Sequence, residues 1–572
     1  MAYPQAATAG RPTTDTREAT RLFRAGSQAF ASGDLKTARE DFSRLVKLAP
    51  GIAAAHDALG AVLLAEGDLQ RAATELREAH RLDPHDGQAS MNLAVAESRL
   101  GDAAAAVTLF RSLTAAQVDA LQAPETLAYA TALAGTGDLP GSEAVLRHAL
   151  STGSPDATLL DALGSLQAQG SRFNDARESF VAAERLSPNL AQVHAHMGSL
   201  ALLENNPATA TEELQRAEAL GDSSTVTAVE LGRALTASGN DEAAVPVLRK
   251  ALVADPASLD AQYALALALQ AAGQPAEALP LFVQVVGARP RDPGALTNYG
   301  LALVQLGNAK DGLAQYARAL ALDGKNPTLR EDTGVSYLQI NDIDHALEQF
   351  QLGLQAEPAN PQLHYDLGLA YKLKDNLAAA IPELERAEVL DPHLPDPPYT
   401  LGVIRMQQGN SAEAVRLLEQ AVALRADNGD AWALLGSERK EAGNLDGAAE
   451  ALRRAIALSP EQPSPHVTLA AILSSKGDKA GAAAERKIAA DLSRVAMSHQ
   501  RGGFALQSGR ALLAKGDLPG AIFQLNDALA AEPDLKEAHL LLADALQKQG
   551  RPAEALAERQ KAEHLPGKPS TP

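Results

Sequence analysis

Two small residues recur every 34 positions along this chain, and that beat excludes most of what 572 residues are free to fold into. The first slot holds Gly or Ala, as at Gly26, Gly60, Ala94, Gly164, Gly368 and Gly436. The second, twelve residues on, is Ala in fourteen units, as at Ala38, Ala72, Ala106, Ala176, Ala380 and Ala448, and Ser142 and Gly312 fill the other two. Sixteen units keep both slots small, and from residue 123 to 496 eleven units run without an insertion. A fixed period of this length marks a solenoid. Such a chain grows by stacking, so its length does not count domains.

Residues 53–86 show what one unit is built to do. His56, Leu59, Gly60 and Leu63 fall at i, i+3, i+4 and i+7, one stripe of a first helix. Gly67 suits a left-handed C-terminal cap, and Asp68 is placed to cap a second helix. Ala72, Leu76 and Ala79 continue the buried stripe, and Pro84 ends it, because helical geometry is disfavoured just before proline. The cap slot is Gly in twelve units, and Asn205, Asn341 and Asp375 fill three of the other four. Asn and Asp tolerate positive φ better than other L-residues. Each unit therefore reads as a helical hairpin, with small residues at the helix–helix junction where a bulky side chain would overpack it.

Composition excludes several functions. A net charge of −20 argues against nucleic acid, whose phosphates need a basic face, and against anionic membrane surfaces. No Cys is present, so there are no disulfides, thiolate metal sites or cysteine nucleophile. No apolar run approaches the ~18 residues of a membrane span. The start, Met1-Ala-Tyr-Pro-Gln, has neither a basic nor an apolar signal region. At face value this places the chain in the cytoplasm; a processed or truncated amino terminus would place it in the periplasm or outside the cell.

The pattern resembles the tetratricopeptide repeat family. Trp432, Leu435, Gly436, Ala448, Leu452, Ala455 and Pro460 match its spacing of aromatic, Leu, Gly, Ala, large apolar, Ala and Pro. The resemblance covers residues 19–569 and implies an all-α fold, a right-handed superhelical α-solenoid of about sixteen hairpins whose first helices line a concave face. The first-helix aromatic departs from the family, being here often Ala or Leu. The domain layout expected is a disordered leader at 1–18, fourteen repeats at 19–496 and two further repeats at 502–569 after a short break. The break is marked by Arg486, which replaces a large apolar residue, and by five extra residues, 497–501. Arg559 repeats that replacement in the final unit, and a milder break falls at 121–122.

Sixteen units of 34 residues leave 28 of 572, too few for a catalytic domain beside the repeats. No phosphate-binding Gly-rich loop and no His-Glu-x-x-His pair occurs. His56, His194, His364, His466 and His539 share the fourth slot of their units and read as core packers. His194 and His196 lie two residues apart, on different sides of a helix, and make a poor metal pair. The acidic residues are expected at exposed helix slots and caps. No catalytic residue, metal ligand or cofactor is assigned, and the chain reads as a non-enzyme.

In the resembled family the concave lining comes from slots 2, 5, 6, 9, 12 and 13 of the first helix. Mapped onto this chain, slot 9 gives an apolar row, Leu267, Leu301, Val335, Leu369 and Val403. Tyr263, Tyr365 and Tyr399 stand at slot 5, and Asn298 and Asp332 interleave at slot 6. These ten residues are the expected partner-binding groove, since an apolar stripe rimmed by polar groups suits a peptide or helix. The competing account is that they only touch the neighbouring unit, as Tyr337 and Tyr371 do in the packing slot 11. The family's clamp for a C-terminal carboxylate needs a basic slot 5 with Asn at slot 9, and no unit has that pair. The leading expectation is a protein–protein interaction scaffold that holds a peptide or protein segment. The alternatives are a self-associating solenoid, forming a homo-oligomer or filament, and an accessory regulatory subunit of an enzyme complex.

Overall fold

The computed structural model describes residues 14–565, and among the described residues there are 32 helices and no strand. They form an all-α solenoid of sixteen hairpins, divided between Leu306 and Gly307 into two compact units. No helix of the described residues is long and apolar enough to cross a membrane.

The second hairpin shows how the sequence builds the rest. Its first helix, Ala53–Glu66, ends on Gly67 at φ 80°, and its second, Leu69–Leu82, starts under Asp68. The Asp68 carboxylate accepts from the Arg71 amide at 3.3 Å, satisfying one of the helix's free donors. Every one of the sixteen cap slots takes positive φ. Twelve are glycine, and Ser171, Asn205, Asn341 and Asp375 sit between 55° and 59°.

Both small slots are buried in all sixteen repeats. The reason is a socket. A Cβ built on Gly232 would stand 2.3 Å from Cγ of Leu248, and one on Gly334 would stand 2.4 Å from Cε1 of Phe350. The first slot therefore receives the large apolar residue sixteen positions on, across the hairpin. In the second slot, the buried Ser142 hydroxyl donates to the Ala130 carbonyl at 2.8 Å and so leaves no unsatisfied polar atom. In the fourteenth and sixteenth repeats the large residue is replaced by Arg486 and Arg559, both exposed.

Three departures from strict repetition are visible. The second helix of the third repeat stops early at Ala103–Arg111, and a short helix, Ala115–Asp119, fills the space before 121–122. Residues 497–501 lie within one unbroken 36-residue helix, Lys479–Ala514. At the amino end the first helix begins at Thr14, so the last five residues of the expected leader are helical. The rest of that leader, residues 1–13, lies outside the described residues.

Candidate partner-binding face

At four junctions between successive first helices a polar rung joins slot 5 of one repeat to slot 6 of the next, 35 residues on. In the first unit Asn92 donates to the Asp57 carboxylate at 2.8 Å, and His196 meets Asp161 at 2.8 Å. The Asn298 amide donates to the Tyr263 hydroxyl at 2.9 Å. In the second unit Tyr365 and Thr400 form the same rung through their hydroxyls. These rungs place slot 5 of one repeat beside slot 6 of the next.

The ten expected groove residues divide between the units. Tyr263, Leu267, Asn298 and Leu301 belong to the first, and Asp332, Val335, Tyr365, Leu369, Tyr399 and Val403 to the second. In the first unit Tyr263 and Leu267 are half-buried against the core around Leu265, Leu269 and Phe282. The Tyr263 ring meets Phe282 edge-on with centroids 6.2 Å apart. In the second unit Tyr365 packs beside Leu384 and Leu401, and Tyr399 beside Leu418 and Leu435. Burial raises the hydroxyl pKa of all three tyrosines. The tyrosines are thus partly structural. Val335 is 38% exposed, and Leu369 and Val403 are half-buried, so the slot 9 row in the second unit presents apolar surface.

Electrostatics distinguish this stretch further. The expectation that acids take exposed positions fails at Asp57, Glu97, Asp161, Asp366 and Glu438, all of which are buried. Three are matched, Asp57 by Asn92, Glu97 by the Arg77 guanidinium at 2.8 Å and Asp161 by His196. Glu438 and Asp366 each keep a buried carboxylate oxygen with no hydrogen-bond partner among the described residues. In Asp366 that oxygen is Oδ2, while Oδ1 accepts from the Gln362 amide at 3.2 Å. Burial, and then the charge of Glu331, push the Asp366 carboxyl up to about 7. Burial also raises Glu331 and Asp332, with Asp332 adding to the effect on Glu331.

The slot 4 histidines are buried or half-buried, as expected, but they do more than pack. Nδ1 of His56, His194, His364, His466 and His539 lies 2.6–2.7 Å from Glu75, Glu213, Glu383, Glu485 and Glu558 respectively. In four of them Nε2 lies 3.0–3.1 Å from the carbonyl of the proline six residues earlier. A carbonyl only accepts, so Nε2 is the donor in these four, and Nδ1 bonds the carboxylate. Four of these histidines thereby tie the preceding loop, their own helix and the second helix of their hairpin, and His466 ties the two helices. A glutamate nineteen residues after each slot 4 histidine was the sequence signal for this. Trp432 and Gln262 make the same loop bond, to the Ala426 carbonyl at 2.9 Å and the Pro256 carbonyl at 3.1 Å.

Among the described residues no group of three or more His, Asp or Glu is placed to hold a metal ion. The long helix Lys479–Ala514 exposes Met497 and Phe504, seven residues apart, beside a cavity that Gln524 and Asp527 also line. The slot pattern gave no sign of these two side chains.

Models of the tetratricopeptide repeat match residues 23–87, 263–327, 332–395, 399–463 and 506–569, and a second model of that repeat matches 63–124. No curated protein matches the chain. Solved structures similar at low identity include these three. The APC/C hetero-tetramer Cut9–Hcn1 is 16% identical, over 94% of this chain and 97% of that chain, with a TM-score of 0.35. Yeast Tom70 is 14% identical, over 96% of each chain, with a TM-score of 0.33. MamA of Desulfovibrio magneticus RS-1 is 23% identical, over 30% of this chain and 96% of that chain, with a TM-score of 0.28.

Proposed function

This chain belongs to the tetratricopeptide repeat family, a family of protein–protein interaction scaffolds, and from that premise we propose that it holds a protein segment along the first-helix face of its second unit. The segment lies on Val335, Leu369 and Val403, with Tyr365 and Tyr399 as half-buried walls and Asp332 at the rim. The observation that carries this reading is the slot 9 row itself. Inward slots in these helices are filled, yet Val335 stays 38% exposed with apolar neighbours at Leu369 and Val403. Apolar side chains kept at the surface in register are what an apolar segment needs to dock.

The experiment is affinity capture from native cell extract with the full chain and with Val335→Glu/Leu369→Glu. Two carboxylates in the row impose a desolvation cost on any apolar segment laid over them. Proteins captured by the native chain are expected to be lost from the double variant. Identical capture by both would refute the proposed face.

A further inference from the structure

One junction in the register of the polar rungs differs in kind. At Asp57–Asn92 and Tyr263–Asn298 a donor meets an acceptor, and at Tyr365–Thr400 two hydroxyls meet. In the same register, Glu331 at slot 5 of the tenth repeat and Asp366 at slot 6 of the eleventh are both acids, and the charge of Glu331 acts on Asp366. Among the described residues neither forms an ion pair with a basic group. Arg330, next to Glu331 in sequence, donates to the Gly324 carbonyl at 2.9 Å and to Gln349, and Arg425 is held by Asp396 at 3.0 Å.

Asp366 is 6% exposed, and its Oδ2 is buried with no partner. A buried acceptor without a donor carries a desolvation cost that native structures seldom leave standing. Asp332 adjoins Glu331 in sequence and adds a third carboxylate to this patch. The apolar row runs alongside the rung, about one turn further along each helix, with Val335 four residues after Glu331 and Leu369 three after Asp366. The site thus lacks a donor, bears excess negative charge and borders an apolar strip.

We infer that the Glu331–Asp366 rung is completed by an arginine side chain of the bound segment, so that the partner is a segment with arginine flanked by apolar residues. The inference rests on the segment-binding reading above and narrows it. Arginine fits better than lysine because its planar fork presents several donors in fixed geometry and bridges two carboxylates at once. Glu331, half-buried, is the accessible member that meets the guanidinium first. The flanking apolar side chains then lie on Val335 and Leu369.

The test uses the full chain and two fluorescent nonapeptides of alternating leucine and alanine. One carries arginine at its centre, the other citrulline, which has the same shape without the charge. Anisotropy at pH 8 is expected to show the arginine peptide bound at least tenfold more tightly. In Glu331→Gln/Asp366→Asn that preference should vanish while the melting temperature does not fall. Equal binding of the two peptides, a preference that survives the double variant, or no binding of the arginine peptide at millimolar concentration would overturn the inference. Val335→Glu/Leu369→Glu separates the two readings. If it abolishes binding of both peptides while the native chain does not distinguish them, the apolar face stands and the arginine inference falls.

Discussion

At the residue scale the architecture rests on whether a side chain fits a socket. Ala278 is fully buried in the second small slot, whereas Ala276 is exposed two residues away on the same helix. Ala278→Leu overpacks the junction and should cost about 1–3 kcal/mol, while Ala276→Leu should leave the urea midpoint unchanged. Equal midpoints for the two variants would remove the socket account. One unmatched acid makes a second residue-scale prediction. Asp366 has an ordinary value of 3.8 and stands at about 7 in the folded chain, so folding favours its protonated form. Its contribution is most favourable below about pH 4 and is lost as pH rises through about 7. Asp366→Asn replaces that acid with a neutral donor in register with Glu331, as Asn92 is with Asp57. It should stabilise the chain at pH 8 by on the order of 2 kcal/mol and have little effect at pH 4. Denaturation midpoints at the two pH values check this, and a variant less stable at pH 8 would contradict it.

At the scale of the element, sequence and structure agree where a slot has one physical job. The left-handed caps and the two small positions were legible because only a few residue types satisfy them. Ser171 shows the limit of that rule, since a serine takes the same φ of 58° as its Asn and Asp counterparts. The slot 4 histidines were less legible. Read alone, each was a large residue on a buried stripe, and its glutamate lay nineteen positions away in another helix. His194 shows what that link contributes. His194→Leu leaves the Pro188 carbonyl and the Glu213 carboxylate without their partner and should cost about 1–3 kcal/mol. His194→Gln keeps the loop bond, as Gln262 does naturally, and should retain a good part of the stability. If thermal unfolding ranks Leu at or above Gln, the histidine is only a packer.

At the scale of the whole molecule, sixteen repeats of one hairpin were plain from the 34-residue beat, and the family models match on that basis. The candidate face was only half legible. Slot 9 yields its apolar row on inspection, but the tyrosines of slot 5 prove to be partly walls of the core. The like-charged rung was hidden too, because it emerges only once slots 5 and 6 are seen to meet 35 residues apart. The account's central claim is that partners dock on the first-helix face and not on the second helices. Val389, on the second helix Leu377–Leu390, is 69% exposed and offers a matched control. The direct measurement is capture from native extract with the native chain, with Val335→Glu/Leu369→Glu and with Val389→Glu, each first shown to melt like the native chain. The account predicts that the captured proteins persist with Val389→Glu and disappear with the first-helix variant. Loss with Val389→Glu and retention with Val335→Glu/Leu369→Glu would contradict it.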